Sequence, residues 1–308
     1  VAFSAVNLLI NALVAVLEGC GRVAEMALLR LVQAVASAAA LWSLLSAGGR
    51  LYAVGAASAM MAVAGIAGLT WRYSAFFADL LTHPRRLAGL DWRREVWPFQ
   101  WRIAVSFASG YLLTQLFNPL LLAIDGPVAA GQMGMSLQII GAMNGAALAW
   151  VTTKAPTYGQ LIARGQRKEL DRLFLRGLVQ SFGVLLVGVI VVWAGLCWLS
   201  ATSRYATRVL PLPQFSLLCL ACLANHVAVA QAVYLRAHKE EPFMVLSVAS
   251  GVATAALTFL LVPAFGTAGA VVSYTSTTLL VGLVGGTVVF LRKRRQWAGQ
   301  ALEASARG

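Results

Sequence analysis

The chain has 308 residues, of which 24 are Lys or Arg and 11 are Asp or Glu, giving 11% charged residues and a net charge of +13. An ordinary soluble domain carries roughly 25% charged residues, whereas this chain is 59% hydrophobic with mean hydropathy +0.76. These values exclude a soluble globular enzyme, a disordered chain and a disulfide-stapled secreted module, and mark an integral membrane protein.

A bilayer core about 30 Å thick needs ~20 mostly apolar residues per helix. Nine such stretches follow one another, at approximately 1–18, 25–46, 51–71, 103–124, 128–152, 177–200, 213–235, 243–263 and 268–291. Barrel strands would be ~10-residue alternating segments. Continuous runs this long predict helices, which satisfy their own backbone bonds in lipid. The fold class expected is therefore all-α, a polytopic membrane helix bundle with about nine transmembrane helices. The first run starts at Val1 with no basic leader and no cleavage motif, so the sequence reads as a fragment lacking its N-terminal part.

In the first helix Ser4, Asn7, Asn11 and Glu18 fall on one stripe. Such a stripe lines a cavity or makes interhelical hydrogen bonds, each worth ~0.6 kcal/mol on average. Gly19-Cys20-Gly21 imitates a dinucleotide fingerprint but lacks the strand that precedes one. Gly48-Gly49 separates the second and third segments. Between 72 and 102 runs a basic connector in which Trp92, Trp97 and Trp101 alternate with arginines. It either joins two lobes at the headgroup layer or anchors helix ends there.

The fourth helix carries Tyr111, Gln115 and Asn118 on one face, with Thr114 beside them and Pro119 after them. Amides, hydroxyls and aromatic faces suit a carbohydrate cavity, and they suit a packed interface nearly as well. Asp125-Gly126-Pro127 turns the chain into the fifth helix, where Gly141 and Gly145 read as close helix packing. The loop 153–176 places Leu161, Leu170, Leu173 and Phe174 at approximate helical spacing, which predicts a short surface helix.

The seventh helix aligns Cys219, Cys222 and His226, with Asn225 adjacent. No fourth ligand accompanies them, so a metal is not expected. A packed neutral histidine and a proton relay both remain open for His226. In the eighth, Ser247, Gly251, Thr254 and Thr258 form a small-residue stripe, and Pro263 and Gly266 end the helix. Thr278, Gly282 and Gly286 repeat the pattern in the ninth. No catalytic triad order, zinc motif or phosphate loop occurs, and no cofactor is expected.

Counted on alternate sides of these nine segments, Lys and Arg divide 21 to 3. The rule that basic loops stay inside then places the C-terminus in the cytoplasm. The high charge is a topology signal, and nucleic acid is not an expected partner. Arg30, Arg102 and Lys154 lie near cytoplasmic ends of spans. There they either anchor the helices or attract a lipid diphosphate.

The stretch WPFQWRIAVSFASGYLLTQLFNPLLL, the AAGQMGMSLQI run, Trp150, Lys154 and Pro156, and RGQRKELDRLFLRGL follow in order. YLRAHKEEPF and FGTAGAVVSY…FLRKRR close the series. This arrangement resembles the bacterial O-antigen and capsule flippases of the multidrug/oligosaccharidyl-lipid/polysaccharide exporter superfamily. The resemblance implies the last nine helices of a twelve-helix, two-lobe exporter. Residues 1–82 would be a partial first lobe, 83–102 an interfacial connector and 103–308 the second lobe with its basic tail. It further implies a non-enzymatic transporter of the bacterial inner membrane, moving a polyprenyl-diphosphate-linked oligosaccharide by alternating access beside polymerase and export proteins. Asn7, Asn11, Glu18, Arg30, Arg102, Tyr111, Gln115, Asn118, Lys154 and His226 are the candidate substrate residues. A multidrug or lipid II exporter, or a membrane glycosyltransferase or polymerase, are the alternatives. The last would need a substantial external loop, and the external loops here are short.

Overall fold

The computed structural model describes residues 2–50, 52–82, 91–203 and 207–307. Among them there are helices and turns and no strand. The chain divides into two compact units, Val1–Leu90 and Asp91–Gly308. Residues 83–90, most of the expected connector, lie outside the described residues. The remainder of that segment leads directly into the first helix of the second unit.

The first unit contains α1 (Ala2–Gly19), α2 (Val23–Ser46) and α3 (Tyr52–Thr82). Ile10, Val14, Leu17, Met26, Ala62, Leu69 and Tyr73 form its core. Gly65 is what lets the three helices close up. A Cβ there would run into the Gln33 amide of α2 and would stand 3.0 Å from Ile10 Cγ2 of α1. Helix α3 runs on to Thr82, past the segment expected at 51–71. No Gly or Pro intervenes before Pro84 to stop it.

The second unit opens with a π-helical turn, Trp92–Val96, capped by the Asp91 carboxylate. Then come α4 (Trp97–Ile124), α5 (Gly126–Thr152), α6 (Ala155–Ala163), α7 (Arg167–Thr202) and α8 (Leu212–Ala237). The expected surface helix around Leu161–Phe174 is split by Gly165, which takes φ +69. Leu161 belongs to α6, whereas Leu170 and Phe174 belong to the first turns of α7. All three are buried against Tyr158, Tyr234 and Phe290, so they pack into the protein and not onto a lipid surface.

Met244–Thr277, Thr278–Gly285 and Gly286–Arg307 continue one another as helix without an intervening loop. They nevertheless form a hairpin. Gly266 takes φ 56 and ψ −134, a region essentially closed to other residues. Beyond it, Thr277 Oγ1 comes within 2.5 Å of Thr254 Oγ1. In a straight helix those residues would be ~35 Å apart, at about 1.5 Å per residue. Residues 244–265 are therefore named α9 and 267–307 α10, an antiparallel pair hydrogen-bonded across Thr254 and Thr277.

Helix α8 is the axis of the second unit. Half of its most apolar window is buried, against 22% or less for the other spanning-length helices of this unit. Elsewhere large apolar side chains point outward, with Val128, Trp198 and Leu260 each 70% exposed or more. Water would penalise such faces, whereas lipid tails accept them. Among the described residues seven helical stretches are long and apolar enough to cross a membrane, counting the hairpin as one, and Phe3–Gly19 is a shorter apolar helix.

The two ends of the second unit differ in charge. At one end the Asp125 carboxylate of the α4–α5 turn lies against Gly266, and Ser136 accepts a bond from Leu210 N. The opposite, basic end holds the ion pairs Arg236–Glu241, Lys293–Glu240 and Arg294–Asp171.

Candidate functional site

Two adjoining cavities of about 300 and 470 Å³ open within the second unit and share Thr114, Asn225 and Tyr274 in their walls. The α4 stripe read from the sequence lies on them. Gln115 and Asn118 line the smaller, Tyr111 the larger, and Thr114 both. The smaller cavity is rich in side-chain amides, because Gln138 and Asn144 of α5 and Asn225 of α8 face the same space. Five carboxamides gathered between apolar helices are costly unless they hydrogen-bond. One bond is conspicuously missing, since the Asn118 Oδ1 atom is buried with no partner. Gly134 leaves room for that amide, as a Cβ there would stand 3.4 Å from Asn118 Oδ1.

Gly141 also lines this cavity, and nothing lies within 4 Å of where a Cβ on Gly141 or Gly145 would stand. The close helix packing expected from their spacing is thus not what these glycines do. Gly141 keeps the α5 wall of the cavity open. Close packing is found instead at Gly286, where a Cβ would stand 3.4 Å from the Phe243 ring.

The larger cavity runs along Ser247 and Ser250 of α9 toward Arg236 near the basic end of α8. Arg236 is held in a fork, with Nε 2.5 Å and Nη2 3.0 Å from the two oxygens of Glu241. The Glu241 side chain is only 1% exposed and also accepts from Ser106 Oγ at 3.0 Å. The guanidinium sits 4.8 Å from the centre of the Phe107 ring. On the far side of this pair lies a third pocket of about 300 Å³, lined by Arg102, Lys239, Glu240, Glu241 and Lys293 among others. Arg236 lines the larger cavity and Glu241 the third pocket, so the pair stands between the two.

His226 is fully buried behind the cavity wall. Its Nε2 is 2.7 Å from Ser181 Oγ of α7 and its Nδ1 is 2.8 Å from Asn144 Oδ1 of α5. It therefore ties three helices together and is hydrogen-bonded to the cavity wall at Asn144. Lys154 does not join this group. It sits at the α5–α6 junction, with Nζ beside Gly177 of α7. Arg102 lines the third pocket only.

The remaining candidates belong to the first unit. Asn7 donates to the Ser58 carbonyl of α3 at 3.1 Å, an interhelical bond, while its Oδ1 is buried without a partner. Asn11 is exposed. Glu18 and Arg30 are an ion pair at 3.1 Å, so the acid and the cation selected separately neutralise each other.

Sequence reasoning did not select Asn144, Gln138, Arg236 or Glu241 as site residues. Arg236 and Glu241 were visible in YLRAHKEEPF, but five residues of spacing across a turn conceals an ion pair. Among the described residues no group of His, Cys, Asp and Glu is arranged to hold a metal ion. Comparison with family models, curated proteins and solved structures gives no match to this chain.

Proposed function

We propose that the chain is part of a flippase that moves a polyprenyl-diphosphate-linked oligosaccharide across the bacterial inner membrane. The observation that carries this reading is the amide- and hydroxyl-lined cavity inside an apolar bundle, with Asn118 Oδ1 left unpaired. A glycan offers many hydroxyl donors, and an orphan carbonyl oxygen is a place for one of them. Neither of the two adjoining cavities has an Asp or Glu in its wall. That favours a neutral polar cargo group over an organic cation, and so favours glycan over drug export. It also gives no paired carboxylates for glycosyl transfer.

On this reading the hairpin α9–α10 is two crossings and α1 is one. Together with α2–α5, α7 and α8 they make nine. The basic end faces the cytoplasm, following the placement of Lys and Arg. Cargo enters there with its lipid tail in the bilayer, and Arg236 meets the diphosphate as the Glu241 fork opens. Rocking of the helices around the cavity releases the head on the other side.

Binding tests the cavity directly. The full-length protein in nanodiscs is titrated with a fluorescent polyprenyl-diphosphate oligosaccharide. Gln115→Leu combined with Asn118→Leu weakens binding about tenfold or more, roughly 1.4 kcal/mol for lost polar contacts. Unchanged affinity in the double variant would remove the cavity from cargo recognition.

A further inference from the structure

Ser181 fixes the protonation pattern of His226. Its Oγ is 2.7 Å from the Ala147 carbonyl oxygen and 2.7 Å from His226 Nε2. A hydroxyl has one proton, and a carbonyl can only accept. The proton therefore goes to Ala147, and Ser181 Oγ accepts from the imidazole. In that arrangement Nε2 carries a proton in the neutral ring and in the imidazolium alike.

Nδ1 faces Asn144 Oδ1 at 2.8 Å. With Nδ1 bare, two acceptors would confront each other. Two arrangements resolve this. In one, Nδ1 binds a second proton and donates to Oδ1. In the other, the carboxamide turns by half a revolution and its NH2 donates to bare Nδ1. Asn144 also lines the carboxamide cavity. The end of Asn144 not bonded to His226 is NH2 in the first arrangement and the carbonyl oxygen in the second.

We propose that His226 is a proton-binding site wired to the cavity through the Asn144 amide. A hydronium ion in the cavity gives up its proton: its O–H bond breaks to leave water, the Nδ1–H bond forms, and the amide turns so that the NH2→Nδ1 hydrogen bond is replaced by Nδ1–H→Oδ1. The surroundings make this site responsive. Helices α5 and α9 carry no ionisable residue, and α7 carries none between Arg176 and Cys197. The ionisable side chains nearest the site are Cys219 and Cys222 of α8 itself, Tyr274 of α10, and Lys154 and Tyr158, which meet α7 at Gly177, one turn from Ser181. None of these helices sets a carboxylate against the ring to hold the imidazolium permanently. An anionic group in the cavity supplies that missing counter-charge. By linkage, anion binding takes up a proton and protonation tightens anion binding. This last step rests on the cargo reading above, whereas the proton site does not.

The test is a nitrogen-15 NMR titration of the full-length protein in nanodiscs, with labelled His and Asn and no cargo present. His226→Gln and Asn144→Leu identify the two signals. The expected result has Nε2 protonated throughout and Nδ1 gaining a proton on acidification. The Asn144 NH2 signal shifts with the same midpoint, and Asn144→Leu moves the His226 midpoint by at least about half a pH unit. Three results would each overturn the proposal. They are a ring that never titrates while the fold persists, a proton on Nδ1 alone at high pH, and a titration to which Asn144 is indifferent. If His226→Gln does not fold, the Asn144→Leu shift identifies the ring by itself. Cargo binding is measured separately, so failure of one reading leaves the other standing.

Discussion

At the scale of single residues, Gly266 and Glu241 decide the most. Gly266 turns the α9–α10 hairpin at φ 56, and the Asp125 carboxylate occupies the space a Cβ would need. Gly266→Ala should therefore destabilise the second unit by at least the roughly 1–3 kcal/mol that backbone strain alone costs. Thermal unfolding in detergent would show it as a lowered midpoint. Glu241 is buried under Arg236 and Ser106. Removing it leaves a guanidinium only 23% exposed without its partner. Glu241→Ala should cost roughly 3 kcal/mol, and Glu241→Gln, which keeps a hydrogen-bonding amide, distinctly less. The same unfolding assay ranks the two. The turn at Pro263 and Gly266 was legible because Pro and Gly interrupt an apolar run. The fork was not, because a charge near a helix end reads as an anchor until its neighbour across the turn is seen.

At the scale of elements, the basic end of α10 is clasped to α7 and α8. Asp171 of α7 receives Tyr234 Oη at 2.6 Å and Arg294 Nη2 at 2.5 Å. His238, at the end of α8, stacks on Trp297 with ring centres 3.8 Å apart and an interplanar angle of 7°. Burial holds the His238 imidazole below its usual pKa, opposed by its bond to the Tyr234 carbonyl and reinforced by the nearby Arg167 charge. A base whose folded pKa is depressed binds fewer protons in the native state. The clasp is thus fully stable above the ordinary histidine pKa and weakens as pH falls through that value toward the lower folded one. A fluorine label on Trp297 should report loosening between about pH 7 and pH 5, and His238→Gln should flatten that response. Helical periodicity revealed the α4 stripe, since Tyr111, Gln115 and Asn118 lie on one face whichever helices surround it. It could not reveal the α5 residues Gln138 and Asn144. Polar side chains scattered among Gly, Ala and Met have no stripe of their own until α4 is placed opposite them.

For the whole molecule, composition alone indicated helices in a membrane. The order of apolar runs located nearly every helix, including those that the hairpin joins without a loop. Helix ends were less legible. Residues beyond the apolar windows of α3 and α7 contain no Gly or Pro to break the helix, so both helices run on past the expected spans. The chain forms two units, and the first contributes two paired candidates, Glu18 and Arg30, and one interhelical bond from Asn7. The second contains the cavity, the Arg236–Glu241 pair and the buried histidine. Transport by this cavity is the central claim. It is tested by reconstituting the full-length protein into vesicles that carry a lipid-linked oligosaccharide in the inner leaflet. The quantity measured is the fraction of glycan reached with time by an enzyme added outside. The account predicts exposure well above that of protein-free vesicles, returning to their baseline when Gln115→Leu and Asn118→Leu are combined. Equal exposure with and without the protein would contradict it.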